Sequence, residues 1–135
     1  MDNLTRDQRK KTMRAVHSEN TAPEMFVRRF VHSKGFRYRL HQKELPGKPD
    51  LVFARHRKVI FVNGCFWHGH SCNAGKKKPQ SNSEYWSRKI ARNKERDKKN
   101  LSELERLGWN HLTIWECEIN SSPDRTRKKI LRFLS

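Results

Sequence analysis

Acidic residues are the first scarcity: 14 Asp and Glu stand against 31 Lys and Arg in 135 residues, a formal charge of +17. That excess goes beyond what solubility requires, so a polyanion is the expected partner. Long apolar runs are missing as well. None approaches the roughly 20 residues that span a bilayer, and the opening MDNLTRDQRKK lacks the apolar core of a secretory signal, so a cytoplasmic protein with no membrane partner is expected. Cysteine is sparse and odd in number. Cys65, Cys72 and Cys117 are too few for a disulfide framework, and metal binding or reduced thiols fit better. The length leaves little room for a second core, so residues 1–135 read as one domain. Charge alone leaves open a ribosomal or chromatin-like protein that coats nucleic acid without chemistry.

What is present divides the chain. Residues 1–20 are basic and thinly apolar, which predicts a DNA-binding arm. Thr21 as cap, Pro23 in the first turn, the stripe Phe26, Val27, Phe30 and Val31, and Gly35 as stop predict a helix. Phe36 to Leu40 alternates like a strand. After the turn-rich Leu45-Pro46-Gly47-Lys48-Pro49, the runs Leu51 to Phe53 and Val59 to Val62 read as an antiparallel hairpin. Gly64 to Asn82 is rich in Cys, His, Gly and Lys and cannot bury a core face by itself. A long helix follows from Ser83 to Gly108, then a strand at Leu112 to Trp115 and a last helix opened by Ser122-Pro123. The predicted order is α, α, β, β, β, α, β, α.

Cys65-x4-His70-x-Cys72 lies in the segment without a core, and Cys117 follows a predicted strand about 45 residues on. Three thiolates and an imidazole complete a closed tetrahedral Cys3His site, hence a structural Zn2+, which would pin the loop to the core. The bland alternative for Cys117 is a small buried hydrophobe. Pro49-Asp50 at the mouth of one strand, with a second strand ending at Phe61-Val62-Asn63, has the layout of a metal-dependent nuclease hairpin, in which Asp50 holds Mg2+ against a phosphate. The second strand lacks the acid and lysine that often complete that pattern. Glu24 and His68 are the replacements on hand, His68 as the water-activating base. Their alternatives remain open: a dipole-complementing acid for Glu24, a further zinc ligand or phosphate contact for His68, and a turn residue for Asp50.

From Leu45 to Asp50, and again from Val59-Ile60-Phe61-Val62-Asn63-Gly64-Cys65-Phe66-Trp67-His68 to Cys72, the chain resembles the very-short-patch repair (Vsr) DNA mismatch endonucleases. The likeness continues through Tyr85-Trp86, Lys89-Ile90, Asn93, Glu95-Arg96-Asp97, Leu107-Gly108-Trp109 and Trp115-Glu116-Cys117, with Met13-Arg14-Ala15 also in place. It implies an α/β, restriction-endonuclease-like core, a mixed central sheet flanked by helices with a structural zinc site. It implies hydrolysis of one phosphodiester 5′ of the thymine in a T:G mismatch, the product of 5-methylcytosine deamination. On this resemblance Asp50 and the Val62 carbonyl hold magnesium, His68 activates water with Asp97 as its partner, and Glu24 supports them. Asn63 departs from a family pattern with a catalytic histidine there and is left a supporting polar role. Phe66, Trp67 and Trp86 resemble an intercalating wedge, Met13 presses from the opposite groove, and Lys89 and Asn93 share the Trp86 helix face for base edges. The loop aromatics have a plainer reading as packing against the core. A MutL-type mismatch-repair ATPase and a DNA cytosine methyltransferase are the implied functional neighbours, and an asymmetric mismatch needs only a monomer. The competing readings are a sequence-specific restriction-type nuclease and a zinc-stabilised DNA-binding module without catalysis.

Overall fold

The protein is described by a computed structural model at residues 20–66, 68, 70–72 and 83–135. Met13 and most of the basic arm, Trp67, and the Lys76-Lys77-Lys78 run lie outside the described residues.

Helix α1 spans Ala22–Ser33. The Thr21 hydroxyl accepts the Glu24 N–H, and Pro23 sits in the first turn, where a missing N–H costs nothing. Gly35, at φ +83°, takes the left-handed exit that a side chain resists. Four strands form one sheet in the order β1 (Arg39–Leu40), β2 (Leu51–Phe53), β3 (Lys58–Asn63), β4 (Asn110–Trp115). β1–β2 and β2–β3 are antiparallel, as the hairpin reading requires, whereas β3–β4 is parallel. A parallel pair needs a long crossover, which α2 (Ser83–Arg106) supplies.

Two local expectations change. The strand predicted from Phe36 contracts to Arg39–Leu40, because its partner β2 ends at Phe53 and turns away at Ala54–His56; Phe36 and Tyr38 still pack on Phe53, at centroid distances of 6.3 and 6.0 Å. A helix not anticipated, α3 (Glu116–Ser121), starts directly after β4; the Glu118 carboxylate accepts the Trp115 N–H at 3.1 Å and caps it. The chain ends in α4 (Pro123–Leu134).

Side-chain alternation divides the core between the two sheet faces. Leu51, Phe53, Ile60 and Ile114 pack with Val27 and Val31 of α1, Ile119 of α3, and Ile130 and Leu134 of α4. Val52 and Val59 face the other way onto Leu104 of α2, with Phe61, Leu101 and Trp109 alongside. The result is a mixed α/β fold with its sheet flanked by helices. Among the described residues, no helix is long and apolar enough to cross a membrane.

Candidate active site and metal centres

Two sets of metal-ligating side chains occur among the described residues, both at the end of the sheet where β3 and β4 finish. In the first, Asn63 of β3 pairs with Trp115 of β4, and the strands stop together. Two residues beyond each end stand Cys65 and Cys117, so strand register alone brings them face to face. The Cys117 N–H donates to the Cys65 sulfur at 3.4 Å. The chain then turns back: the His70 N–H donates to the Cys65 carbonyl at 2.9 Å, and His70 Nδ1 lies 3.5 Å from Cys117 Sγ. With Cys72, these residues present four ligand atoms within 4.8 Å of one another. Trp115 stacks on the His70 ring at 4.1 Å between centroids, fixing its orientation. Burial pushes the Cys65 thiol up to about 12 and also raises Cys117, so a metal has to displace protons here.

The second set, Glu24, His41 and Asp50, borders a cleft lined by His41, Lys48, Asp50, Asn63, His68 and Asp97, with Glu24 buried beside it rather than in its wall. Asp50 enters at the mouth of β2, and its Oδ2 accepts the Val62 N–H from β3 at 2.7 Å. Burial, with the nearby Glu24 charge assisting, raises the Asp50 carboxyl to about 7 despite that hydrogen bond. Glu24 is 1 % exposed, an uncommon place for a carboxylate in a helix's first turn, and it accepts from the Asn20 N–H at 3.2 Å and Arg28 Nη1 at 3.3 Å. A dipole-complementing role would need no such burial. The sequence reading missed His41. Its ring Nε2 stands 3.0 Å from each Glu24 oxygen, and Glu24, His41 and Asp50 each offer a ligand atom within 4.8 Å of the others. The available signal was its position: β1–β2 register pairs Leu40 with Leu51, so the next pair is His41 with Asp50.

Across the cleft, His68 Nδ1 is 2.5 Å from Asp97 Oδ2. A carboxylate at this distance accepts an Nδ1–H, the tautomer that in a neutral imidazole puts the basic lone pair on Nε2. The pair joins the turn after β3 to α2, which the sequence separates widely. Gly47 carries the loop wall over this region: at φ +80°, an added Cβ would meet Phe61 at 3.0 Å and Asn100 at 3.1 Å.

The aromatic residues of interest also assemble. Phe66 and Trp86 lie 5.7 Å apart, Tyr85 stands 5.3 Å from Trp86 and is 52 % exposed, and Lys89 Nζ sits over the Trp86 ring at 5.5 Å. Asn93, by contrast, is only 5 % exposed and accepts from Arg96 at 2.9 Å.

The family profile described as "DNA mismatch endonuclease Vsr" matches residues 1–74. A type II nicking enzyme of Neisseria meningitidis serogroup A is 46% identical over 120 residues, covering 89% of this chain and 85% of that one. The DNA mismatch endonuclease Vsr of Escherichia coli K12 is 41% identical over 126 residues, 93% and 80% of the respective chains. A homing endonuclease catalytic domain shares the fold, with a TM-score of 0.57, 24% identity, and coverage of 84% of this chain and 94% of that one. Likeness of this extent, running through the hairpin, the cysteine cluster and the crossover helix, makes the chain a member of the Vsr family of DNA mismatch endonucleases, hydrolases of phosphodiester bonds.

Proposed function

We propose that the protein nicks one strand of duplex DNA on the 5′ side of the thymine in a T:G mismatch, in very-short-patch repair of deaminated 5-methylcytosine. The observation that carries this reading is the His68–Asp97 pair at the same cleft as Asp50, with the buried Glu24 beside Asp50. Two buried carboxylates that converge repel each other unless a cation or a proton lies between them, and their oxygens fit a hard divalent ion. Magnesium held by Asp50 and the Val62 carbonyl would supply Lewis-acid stabilisation of charge on the phosphate.

The protein's own groups do the rest. His68 Nε2 takes the proton of the attacking water as its oxygen bonds to phosphorus and the bond to the departing sugar oxygen breaks. Asp97 holds the ring and stabilises the imidazolium, Glu24 fixes the acidic wall, and Asn63 orients water or phosphate without moving a proton. Phe66, Trp67 and Trp86 stack beside the mispair, with Met13 opposing them. Unstacking costs least at a mispair, which turns local duplex weakness into selectivity. Lys89 and Asn93 would reach base edges once their present partners give way. Cys65, His70, Cys72 and Cys117 hold a structural zinc that keeps the His68 turn in place.

The test is nicking of end-labelled duplexes carrying T:G or C:G at one position, with Mg2+ and with EDTA. The expected result is one strand-specific, Mg2+-dependent nick at T:G, slowed about 10²–10⁴-fold by His68→Ala. Equal cutting of both duplexes would favour a sequence-specific restriction-type nuclease. Binding without cutting under any metal would favour the zinc-stabilised binding module.

A further inference from the structure

We propose that His41 contributes a ring nitrogen to the cation site of the cleft, beside Glu24 and Asp50, and that this ligand shifts the site's preference from Mg2+ towards Mn2+. This deepens, and rests on, the reading that Asp50 holds the catalytic cation.

Three features support a ligand role over a simple His–Glu hydrogen bond. First, Nε2 lies 3.0 Å from Glu24 Oε1 and 3.0 Å from Oε2. The N–H is thus shared between two oxygens rather than committed to one linear hydrogen bond. Ligands at right angles around a cation with bonds of about 2.1 Å stand about 3.0 Å apart, which is the spacing found. Second, Glu24 is already held by donors outside the cluster, the Asn20 N–H and Arg28 Nη1. Its carboxylate does not require His41 for orientation. Third, His41 adopts φ +48°, in the left-handed region disfavoured for a residue with a side chain. The conformation is kept by the His41 N–H donating to the Asp50 carbonyl at 3.2 Å, which ties the imidazole to the mouth of the strand that carries Asp50. Strain of this kind is retained where the surrounding structure uses it.

The consequence for metal choice follows from donor chemistry. Magnesium keeps an oxygen shell and releases water reluctantly, whereas a first-row transition ion accepts imidazole together with carboxylate. A Glu–Asp–His set therefore narrows, or reverses, the advantage that an all-oxygen site gives Mg2+.

The test uses the zinc-loaded full chain without DNA and Mn2+ alone as probe. Electron spin-echo spectroscopy of the bound Mn2+ should show a directly coupled nitrogen that disappears in His41→Gln and persists in His68→Gln. The Mn2+ affinity of His41→Gln should fall at least about tenfold, and the Mg2+ constant, read by competition, should fall less. Zinc content and helical circular dichroism report whether the variant folds. Should it not fold, wild-type protein labelled with 15N-histidine serves instead, and Mn2+ should broaden the His41 ring resonances before those of His68. Bound Mn2+ with no coupled nitrogen, coupling that survives His41→Gln, or absence of Mn2+ binding each overturns the proposal. Wild-type nicking at T:G with Mg2+ separates the two readings. Nicking without nitrogen coupling removes the ligand role only, and nitrogen coupling without nicking removes the mismatch reading only.

Discussion

The cysteine cluster and the acidic cluster share one end of the sheet and are built in opposite ways. Cys65, His70 and Cys72 come from a single turn, and Cys117 joins them from the first turn of α3. Burial lifts the Cys65 thiol to about 12 and raises Cys117 as well, so both hold their protons until a metal displaces them. Glu24 comes from α1, whereas His41 and Asp50 stand at the two ends of the β1–β2 connection, just after β1 and just before β2. There burial works against an ionised Asp50. On the proposed reading the labour is divided: the soft site would hold the fold together, and the fold would hold the hard site together.

Exchanging the two roles by mutation gives the largest expected effects. Asp50→Asn should slow single-turnover nicking at least about a thousandfold, since several kcal/mol of charge stabilisation leaves with the cation. Its melting temperature should hold or rise, because a buried carboxyl has gone. Cys117→Ser should do the reverse at the level of stability, lowering the melting temperature by more than about 5 °C as zinc content falls. A matching loss of stability in both variants would erase the distinction.

The pH dependence sharpens it. The folded Asp50 carboxyl is raised to about 7 from an ordinary value near 3.8, so the folded state binds this proton more tightly than the unfolded chain does. Its contribution is fully present below about pH 4 and is lost as pH rises through 7. Urea melts of metal-free protein between pH 4 and pH 8 should therefore decline less steeply in Asp50→Asn than in wild type, and parallel curves would contradict the assignment. The smallest effect is expected at the cleft wall. Gly47→Ala should cost about 1–3 kcal/mol in the same melts, since its Cβ meets Phe61 and Asn100 at a left-handed backbone position.

Much of this was legible from local chemistry. Thr21, Pro23 and Gly35 bracket α1 because caps act within a turn of themselves, and the hairpin runs show in their apolar alternation. The Cys65, His70 and Cys72 spacing is also local. The convergence of Cys117 on them follows from parallel β3–β4 pairing, which the segments imply only once the crossover helix is recognised. His41 escaped because its meaning depends on the register of a two-residue strand across a loop, and no local pattern sets that register. α3 escaped because Glu116-Cys117 reads equally well as the end of a strand, and only the return of the Glu118 carboxylate to the Trp115 N–H turns it into a helix.

The common finish of β3 and β4 sets different tolerances to length change along the chain. One residue inserted between Asn63 and Cys65, or between Trp115 and Cys117, would carry a thiol out of register with the other ligands and dismantle the cluster. The stretch between Cys72 and Ser83 contains none of the four ligands, so its length can drift without changing their spacing. Relatives should therefore differ in length after the last clustered cysteine of the turn, and keep a fixed count of residues between each strand end and its thiol.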